Sequence, residues 1–317
     1  MSEDSKIPAD ASDIPKKGWI YWLPASWQPY AKLARLDRPI GTWLLLLPTW
    51  WGLALATAVN PDIKSSETVY NFPDITYAIL FGIGALVMRG AGCTWNDISD
   101  QDFDKKVART ADRPLPSGEV TTKQAIIFLI AQCLIGFFIL LQFNLITQII
   151  GASALFLVIA YPFMKRITYW PQAWLGLTFN WGILVGWASI YGDLHTAVFT
   201  LYTAGIFWTL GYDTIYAHQD KEDDALVGVK STALKLGENT RIAVIFFYAA
   251  TLGLIGVTGY LLTLPVYFWI ALGLSGLHMI WQIYRLDINN PDRCLALFKA
   301  NKNFGFIILL GFIASGL

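Results

Sequence analysis

The sequence predicts an all-α membrane protein, a bundle of about nine transmembrane helices around a central cavity that opens to the cytoplasmic face. The 317 residues are 55% hydrophobic and only 15% charged, which is too little charge to cover a soluble domain of this length. The apolar residues form runs close to the ~20 needed to cross a bilayer. Such unbroken runs fit helices rather than a membrane barrel. The third observation is the distribution of positive charge, which indicates the number and direction of the helices.

The N-terminal part is predicted to lie outside the membrane. Residues 1–38 form a polar tail and an interfacial segment, and residues 39–317 form a single transmembrane domain. Met1 to Gly18 show neither the apolar core of a signal peptide nor the arginine-rich pattern of a transit peptide. Trp19 to Arg38 mix tryptophans with basic residues, which is typical of an amphipathic helix at the membrane interface.

Nine apolar segments follow and are predicted to be the membrane helices. They are residues 40–59, 74–95, 123–142, 145–164, 173–192, 196–217, 240–261, 265–285 and 304–317. The last is short unless residues upstream belong to it. Glycines spaced along two segments, in Gly182-x-x-x-Gly186 and Gly253-x-x-Gly256-x-x-Gly259, predict close contacts between helices.

Positive charge alternates between the two sides of these segments. With the N-terminus in the cytoplasm, the connections 96–122, 165–172, 218–239 and 286–303 are cytoplasmic. Apart from Lys64 and Arg89, every Lys and Arg lies in the N-terminal segment, in these connections or at the helix ends beside them. This matches the positive-inside rule. The formal net charge is zero, and no nucleic-acid partner is expected.

Two aspartate-rich motifs each follow a long apolar segment. The first is Asn96-Asp97-x-x-Asp100-x-x-x-Asp104, and the second is Asp213-x-x-Tyr216-x-x-x-Asp220-x-x-Asp223-Asp224. Carboxylates are costly near hydrocarbon, so acidic residues at the mouths of membrane helices indicate function. Residues three or four apart share one helical face. Mg2+ binds one or two carboxylates together with phosphate oxygens, so the paired motifs favour a metal-bridged diphosphate over a solvated acidic loop.

Basic residues near these motifs could bind the anionic groups of a substrate. Arg113 follows the first motif in a long connection, and Lys165 and Arg166 end the fourth predicted helix. An arginine can bind a phosphate through two parallel hydrogen bonds. Arg89 lies about two turns before Asp97 inside a membrane span and requires an anionic partner there. Arg38 is a weaker candidate, because snorkelling to the interface explains it equally well.

From Leu36 to the C-terminus, the chain resembles the UbiA superfamily of intramembrane prenyltransferases. The stretches that carry the resemblance are Leu36 to Thr42, Met88 to Asp97, Arg109 to Gly118, Tyr161 to Arg166, Tyr212 to Ala217 with Asp220, Asp223 and Asp224, and Gly228 to Thr232. The two aspartate motifs occur across the superfamily. Arg113-Pro-Leu-Pro-Ser-Gly118 and Tyr161-Pro-Phe-Met-Lys-Arg166 narrow the resemblance to the branch that acts on 4-hydroxybenzoate.

The resemblance implies the following chemistry. A polyprenyl diphosphate and 4-hydroxybenzoate are the substrates, Mg2+ is the cofactor, and the allylic C–O bond ionises before the ring carbon ortho to the phenol is alkylated. The implied metal ligands are Asn96, Asp97, Asp100, Asp104, Asp213, Asp220, Asp223 and Asp224, of which Asp97, Asp100, Asp104, Asp213 and Asp220 are the catalytic candidates. The implied diphosphate-binding residues are Arg113 and Lys165, and the acceptor-binding candidates are Arg166, then Arg89 and Arg38.

The resemblance also implies a place in ubiquinone biosynthesis in a bacterial inner membrane. The lipid bilayer is then a partner, and other enzymes of that pathway are candidate partners. Another aromatic acceptor, such as homogentisate, a naphthoate or a tetrapyrrole, would require the same fold and chemistry. A cation-coupled transporter is a distant alternative, because transporters place their acidic residues near the bilayer midplane rather than at one rim.

Overall fold

The computed structural model describes residues 14–15, 17–60, 72–105, 107, 109–219 and 221–317, without the side chains of Asp223, Asp224 and Val227. Two compact units make up the chain. The first unit comprises residues 1–41 and 86–138, and the second unit comprises residues 42–85 and 139–317.

The described part of the chain is built from helices joined by turns and loops, and it contains no strand. Its α-helices are α1 (Gln28–Leu33), α2 (Ile40–Ala58), α3 (Ile75–Asp104), α4 (Thr122–Leu140), α5 (Leu145–Ile167), α6 (Pro171–Tyr191), α7 (Thr196–Ala217), α8 (Lys221–Val227), α9 (Thr232–Leu236), α10 (Thr240–Leu261), α11 (Val266–Arg285) and α12 (Pro291–Ala314). Within the described residues, eight helical stretches are long and apolar enough to cross a membrane. The chain is therefore a multi-pass membrane protein.

Each predicted membrane segment coincides with one long helix, but two helices extend further than predicted. Helix α3 runs on to Asp104, so the first aspartate motif is helical. The predicted connection 286–303 is wrong beyond residue 290, because α12 begins at Pro291 with the side chain of Asn290 as its cap. The polar residues Lys299, Asn301 and Lys302 interrupt the apolar pattern there and conceal the start of the helix.

Helix α7 is the exception among the long helices, because it does not reach the hydropathy of the eight candidate spans. It nevertheless buries 14 of its 22 residues, and it packs against α6, α10 and α12 of the second unit. A helix enclosed by protein faces little lipid, so its threonines and tyrosines can hydrogen-bond to neighbouring helices. One of its ends carries Asp213.

The predicted interfacial helix is not continuous. A 3-10 helix spans Trp19–Trp22, and α1 begins only at Gln28. Pro24 separates them, because the residue before a proline is forced into extended backbone, as Leu23 is. Trp22 and Trp27 are 88% and 65% exposed, which agrees with contact to the membrane interface.

Small residues allow close packing of α2 against α6 in the second unit. A Cβ on Gly186 would overlap the carbonyl of Thr49, and one on Gly52 would overlap the carbonyl of Ile183. The prediction of close contact is confirmed for Gly182 and Gly186. It is also confirmed for Gly259, where a Cβ would overlap the Phe268 ring, and it is wrong for Gly253, which faces open space within the described structure.

A buried chain of polar side chains joins four helices of the second unit. The Trp208 indole N–H donates to Asn301 Oδ1 at 2.8 Å. The Asn301 amide donates to Gln282 Oε1 at 3.0 Å, and the Tyr248 hydroxyl donates to the same oxygen at 2.8 Å. These bonds fix α7, α10, α11 and α12 in register, because an unmade hydrogen bond in an apolar interior is costly.

Candidate functional site

The first aspartate motif occupies the last turns of α3 in the first unit. Asp97 and Asp100 are fully buried and Asp104 is 8% exposed, while Asn96 is half-buried. The predicted helical face therefore exists, and the carboxylates on it are enclosed by protein. Buried carboxylates require positive partners, and the first unit supplies them from two directions.

Arg35 reaches this motif from the end of α1. Its guanidinium donates to Asp97 Oδ1 at 2.7 Å, and both side chains are buried. The same guanidinium donates to the Lys32 carbonyl at 3.0 Å. In the sequence, Arg35 is one of the basic residues of the predicted interfacial segment, and nothing in its spacing indicates this contact.

The backbone of Arg35 has the left-handed conformation, with φ of 56°. The Arg35 N–H donates to the Lys32 carbonyl and the Leu36 N–H donates to the Ala31 carbonyl, each at 3.0 Å. This is the Schellman motif, in which the left-handed residue after a helix is usually glycine. An arginine here carries a conformational cost of about 1 kcal/mol, which its contact with Asp97 can offset.

Arg113 binds the motif from the connection between α3 and α4. Its guanidinium donates to Asp104 Oδ2 at 3.0 Å and to Asp97 Oδ1 at 3.4 Å. The connection is anchored because Leu115 and Val120 are buried with Leu33 and Ala125. The predicted proximity of Arg113 to the first motif is therefore present.

The second oxygen of Asp97 suits a cation. Asp97 Oδ2 is buried and has no hydrogen-bond partner among the described residues, an arrangement that costs free energy unless something else binds the oxygen. No group of three Asp, Glu, His or Cys side chains converges on one ion in the described chain. Mg2+ takes one or two carboxylates and completes its shell with water and phosphate.

The second aspartate motif begins in α7 of the second unit. Asp213 is half-buried, one turn before the helix ends. Asp220 lies outside the described residues, and so do the side chains of Asp223 and Asp224. The segment after the motif is held in place because the hydroxyls of Thr214 and Thr232 hydrogen-bond at 2.8 Å.

His218 lies just after α7, between Asp213 and the remainder of the motif. Its Nε2 hydrogen-bonds the Thr240 hydroxyl at 2.8 Å, and the residue is 4% exposed. Burial, reinforced by the positive charge of Lys221, lowers the pKa of His218 to about 4. The imidazole is therefore neutral at pH 7 and adds no positive charge beside the motif.

The end of α5 gathers basic residues in the second unit. The Lys230 N–H donates to the Lys165 carbonyl at 2.9 Å, and Lys230 Nζ donates to the Ile167 carbonyl at 3.0 Å. A cation here complements the partial negative charge at the C-terminus of a helix. Arg166 is exposed and lies over the Phe163 ring at 5.5 Å. Lys230 therefore binds the backbone at the end of α5, on both sides of Arg166.

The other predicted acceptor-binding arginines belong to the first unit. Arg38 Nε donates to Asp37 Oδ2 at 3.0 Å. Arg89 is half-buried in α3, and its guanidinium lies where a Cβ on Gly41 would be. A larger residue at position 41 would therefore require the Arg89 guanidinium to shift.

Comparison with known proteins gives one consistent result. A model described as the UbiA prenyltransferase family matches residues 45–312. The human protein named 4-hydroxybenzoate polyprenyltransferase, mitochondrial, is 48% identical over 295 residues, which cover 93% of this chain and 77% of the human protein. The Arabidopsis thaliana protein of the same name is 47% identical over 313 residues, which cover 98% of this chain and 74% of the plant protein.

Solved structures show the same fold. A UbiA homolog from Aeropyrum pernix K1 aligns with a TM-score of 0.71 at 24% identity, covering 87% of this chain and 98% of that one. A UbiA homolog from Archaeoglobus fulgidus, bound to GPP and Mg2+, aligns with a TM-score of 0.67 at 20% identity, covering 91% of this chain and 98% of that one.

Proposed function

This chain belongs to the UbiA prenyltransferase family, and we propose that it transfers a polyprenyl group from a polyprenyl diphosphate to the ring carbon ortho to the hydroxyl of 4-hydroxybenzoate. The observation that carries the proposal is the 48% identity with the human protein of that name over 93% of the chain. The product belongs to ubiquinone biosynthesis. We treat residues 39–317 as the one domain that performs the reaction.

The acidic residues of both motifs are proposed to bind Mg2+ that accompanies the diphosphate. These are Asn96, Asp97, Asp100 and Asp104 in the first motif and Asp213, Asp220, Asp223 and Asp224 in the second. Bound Mg2+ would stabilise negative charge on the diphosphate as a Lewis acid. The unpartnered Asp97 Oδ2 supports this assignment, because an oxygen in that state is ready to receive a cation.

Arg35 and Arg113 place positive charge beside the first motif. Two guanidiniums on Asp97 and Asp104 compensate the mutual repulsion of the carboxylates before substrate binds. Arg113, at 3.0 Å from Asp104 and 3.4 Å from Asp97, divides its bonds between two partners. We propose that Arg113 also donates to a diphosphate oxygen, while Arg35 holds Asp97. Lys165 is proposed as a second diphosphate-binding residue.

In the reaction, the allylic C–O bond breaks and the diphosphate leaves with the electron pair. The allylic cation is attacked by the ring carbon ortho to the phenol, which forms the C–C bond, and loss of that carbon's proton restores aromaticity. Fixed positive side chains lower the barrier because they stabilise charge as it develops on the leaving group. We propose that Arg166 binds the carboxylate of the acceptor, with Arg89 and Arg38 as alternatives.

We further propose a bacterial inner-membrane location, with the N-terminus and both aspartate motifs on the cytoplasmic side. The support for the orientation is the distribution of Lys and Arg. The curated relatives are mitochondrial proteins. Cysteine accessibility in sealed vesicles would test the orientation, and labelling of Ser117→Cys, an exposed position in the connection after the first motif, from the opposite side would contradict it. Other enzymes of the same pathway are proposed partners.

The acceptor is tested with a panel of labelled ring compounds and one long-chain polyprenyl diphosphate. Membranes that contain the protein should prenylate 4-hydroxybenzoate in preference to homogentisate and a naphthoate. Membranes with Asp213→Asn provide the matched blank. Preference for another acceptor would overturn 4-hydroxybenzoate as the substrate, while prenyl transfer to an aromatic ring would still be supported.

A further inference from the structure

A basic cleft lies at the ends of α10, α11 and α12 in the second unit, in a place that the proposed chemistry does not use. It has a volume of about 450 Å³. Its lining comprises Glu238, Arg241, Tyr284, Arg285, Leu286, Asp287, Ile288 and Arg293. Three arginines and two carboxylates give this cleft a formal charge of +1.

The three arginines differ in how they are engaged. Arg241 donates to the Leu286 carbonyl at 2.6 Å, which fixes its guanidinium at the wall. Arg293 forms a long ion pair with Asp287, at 3.7 Å, and both side chains are nearly half exposed. Arg285 ends α11, is exposed, and makes no ion pair or side-chain hydrogen bond within the described chain. An unengaged guanidinium beside two others favours a phosphate, which can accept from several of them.

The surface below the cleft is apolar and exposed along α11. Leu277, Ile280 and Tyr284 are 64%, 63% and 82% exposed and recur at the three- and four-residue spacing of one helical face. Trp281, 44% exposed, lies beside them. An aromatic pair at the end of an apolar stripe marks the membrane interface. Acyl chains therefore have a surface next to the arginines.

We propose that this cleft binds the headgroup of an anionic glycerophospholipid, with the phosphate on Arg285 and Arg293 and the acyl chains along α11. The +1 charge of the cleft complements a headgroup with one negative charge. Basic pockets between membrane helices bind lipid headgroups by the same chemistry. The lipid would fix the connection 286–290 between α11 and α12.

The test is native mass spectrometry of the detergent-solubilised full chain with dioleoyl phosphatidylglycerol. Removing one arginine should weaken binding about fivefold, since each cation near a lipid surface contributes a factor of this size. The double variant, which carries both Arg285→Gln and Arg293→Gln, should therefore bind about 25-fold more weakly. Lys123→Gln, which removes an exposed charge at the start of α4, is the control and should leave binding unchanged. Undiminished binding by the double variant would overturn the proposal.

Two further arms identify the ligand and keep the test valid if the double variant does not fold. Wild-type protein should bind dioleoyl phosphatidylcholine several-fold more weakly, and inorganic phosphate should not displace phosphatidylglycerol at equal concentration. Equal binding of both lipids, or displacement by phosphate, would contradict an anionic lipid site. A photoactivatable phosphatidylglycerol should crosslink to residues 284–293 of the wild-type chain, and crosslinks confined to other helices would contradict the location.

Discussion

Arg35 and Asp97 are 62 residues apart in the chain and form a buried ion pair, with Arg35 Nη2 at 2.7 Å from Asp97 Oδ1. The pair connects the end of the short helix α1 to the first carboxylate of the aspartate motif. Arg35 holds a left-handed backbone conformation to make this contact. We therefore regard Arg35 as the residue that positions Asp97.

Arg35→Ala should destabilise the protein and reduce Mg2+ affinity together. Removing one member of a buried ion pair costs about 3–5 kcal/mol, because the remaining charge is left uncompensated. Thermal unfolding in detergent without Mg2+ measures the first effect, and calorimetric titration with Mg2+ measures the second. A variant with unchanged unfolding temperature and Mg2+ affinity would contradict the positioning role.

A backbone control separates the side chain of Arg35 from its conformation. Arg35→Gly removes the same guanidinium but suits the left-handed conformation, so it should be more stable than Arg35→Ala by about 1 kcal/mol. Both variants should lose Mg2+ affinity equally. If glycine restored Mg2+ affinity, the backbone turn rather than the ion pair would position Asp97.

Replacing Asp213 or Asp97 should abolish prenylation. We expect Asp213→Ala to leave the fold intact and to lower turnover by about two to three orders of magnitude. This is the effect of losing one group that stabilises charge in a transition state. Asp97→Ala should also unfold more easily, because Arg35 would lose its carboxylate partner. Asp97→Asn keeps the shape of the side chain and is therefore the better variant for measuring turnover. Near-normal turnover by both Asp213→Ala and Asp97→Asn would contradict the role of the two motifs.

The polar chain around Asn301 should stabilise the second unit without contributing to chemistry. Asn301→Leu leaves the buried Trp208 N–H without its acceptor, which costs about 1–3 kcal/mol, and it removes one of the two donors to Gln282 Oε1. The unfolding temperature should fall while KM for the polyprenyl diphosphate stays unchanged in the folded fraction. A raised KM at normal stability would show that this network belongs to the substrate site.

Glycine substitutions test the packing of α2 on α6. Gly186→Ala places a Cβ against the backbone of Thr49 and Leu53 and should cost about 1–3 kcal/mol, as overpacking does. Gly253→Ala is the matched control, because a Cβ there meets nothing within 4 Å. It should be neutral or stabilising, since alanine is the better helix former. Equal effects of the two changes on unfolding temperature would contradict the described contact.

Stability should fall below pH 6.5 partly because of His218. The folded-state pKa of about 4 lies below the ordinary 6.5, so the unfolded chain binds more protons between these values. The contribution of His218 is therefore complete above pH 6.5 and lost as the pH falls towards 4. His218→Gln should flatten the dependence of the unfolding temperature on pH between 6.5 and 4 in Mg2+-free detergent. An unchanged dependence would contradict this role of His218.

The sequence predicts the helices well because a lipid environment demands long apolar runs, and the positions of Lys and Arg orient them. The start of α12 is misplaced because polar residues such as Asn301 and Lys302 lie in its first half. A stretch with such residues has the composition of a connection, although it is helical. In α7 the low hydropathy reflects enclosure by other helices, which no single-sequence pattern reports.

The aspartate motifs were predictable because carboxylates beside hydrocarbon are rare and their spacing follows one helical face. Arg35 was not, since an arginine near the interface looks like an ordinary positive-inside residue and its left-handed backbone leaves no mark on the sequence. A glycine at that position would have indicated a helix end. The choice among Arg166, Arg89 and Arg38 depends on tertiary contacts to substrate, which spacing does not encode.

The most direct test of the central claim is incorporation of labelled 4-hydroxybenzoate into a lipid-soluble product by purified protein in nanodiscs, with a long-chain polyprenyl diphosphate and Mg2+. We expect incorporation that EDTA abolishes, that added Mg2+ restores, and that Asp213→Ala lacks. Incorporation that persists in EDTA, or that Asp213→Ala supports at the wild-type rate, would contradict it.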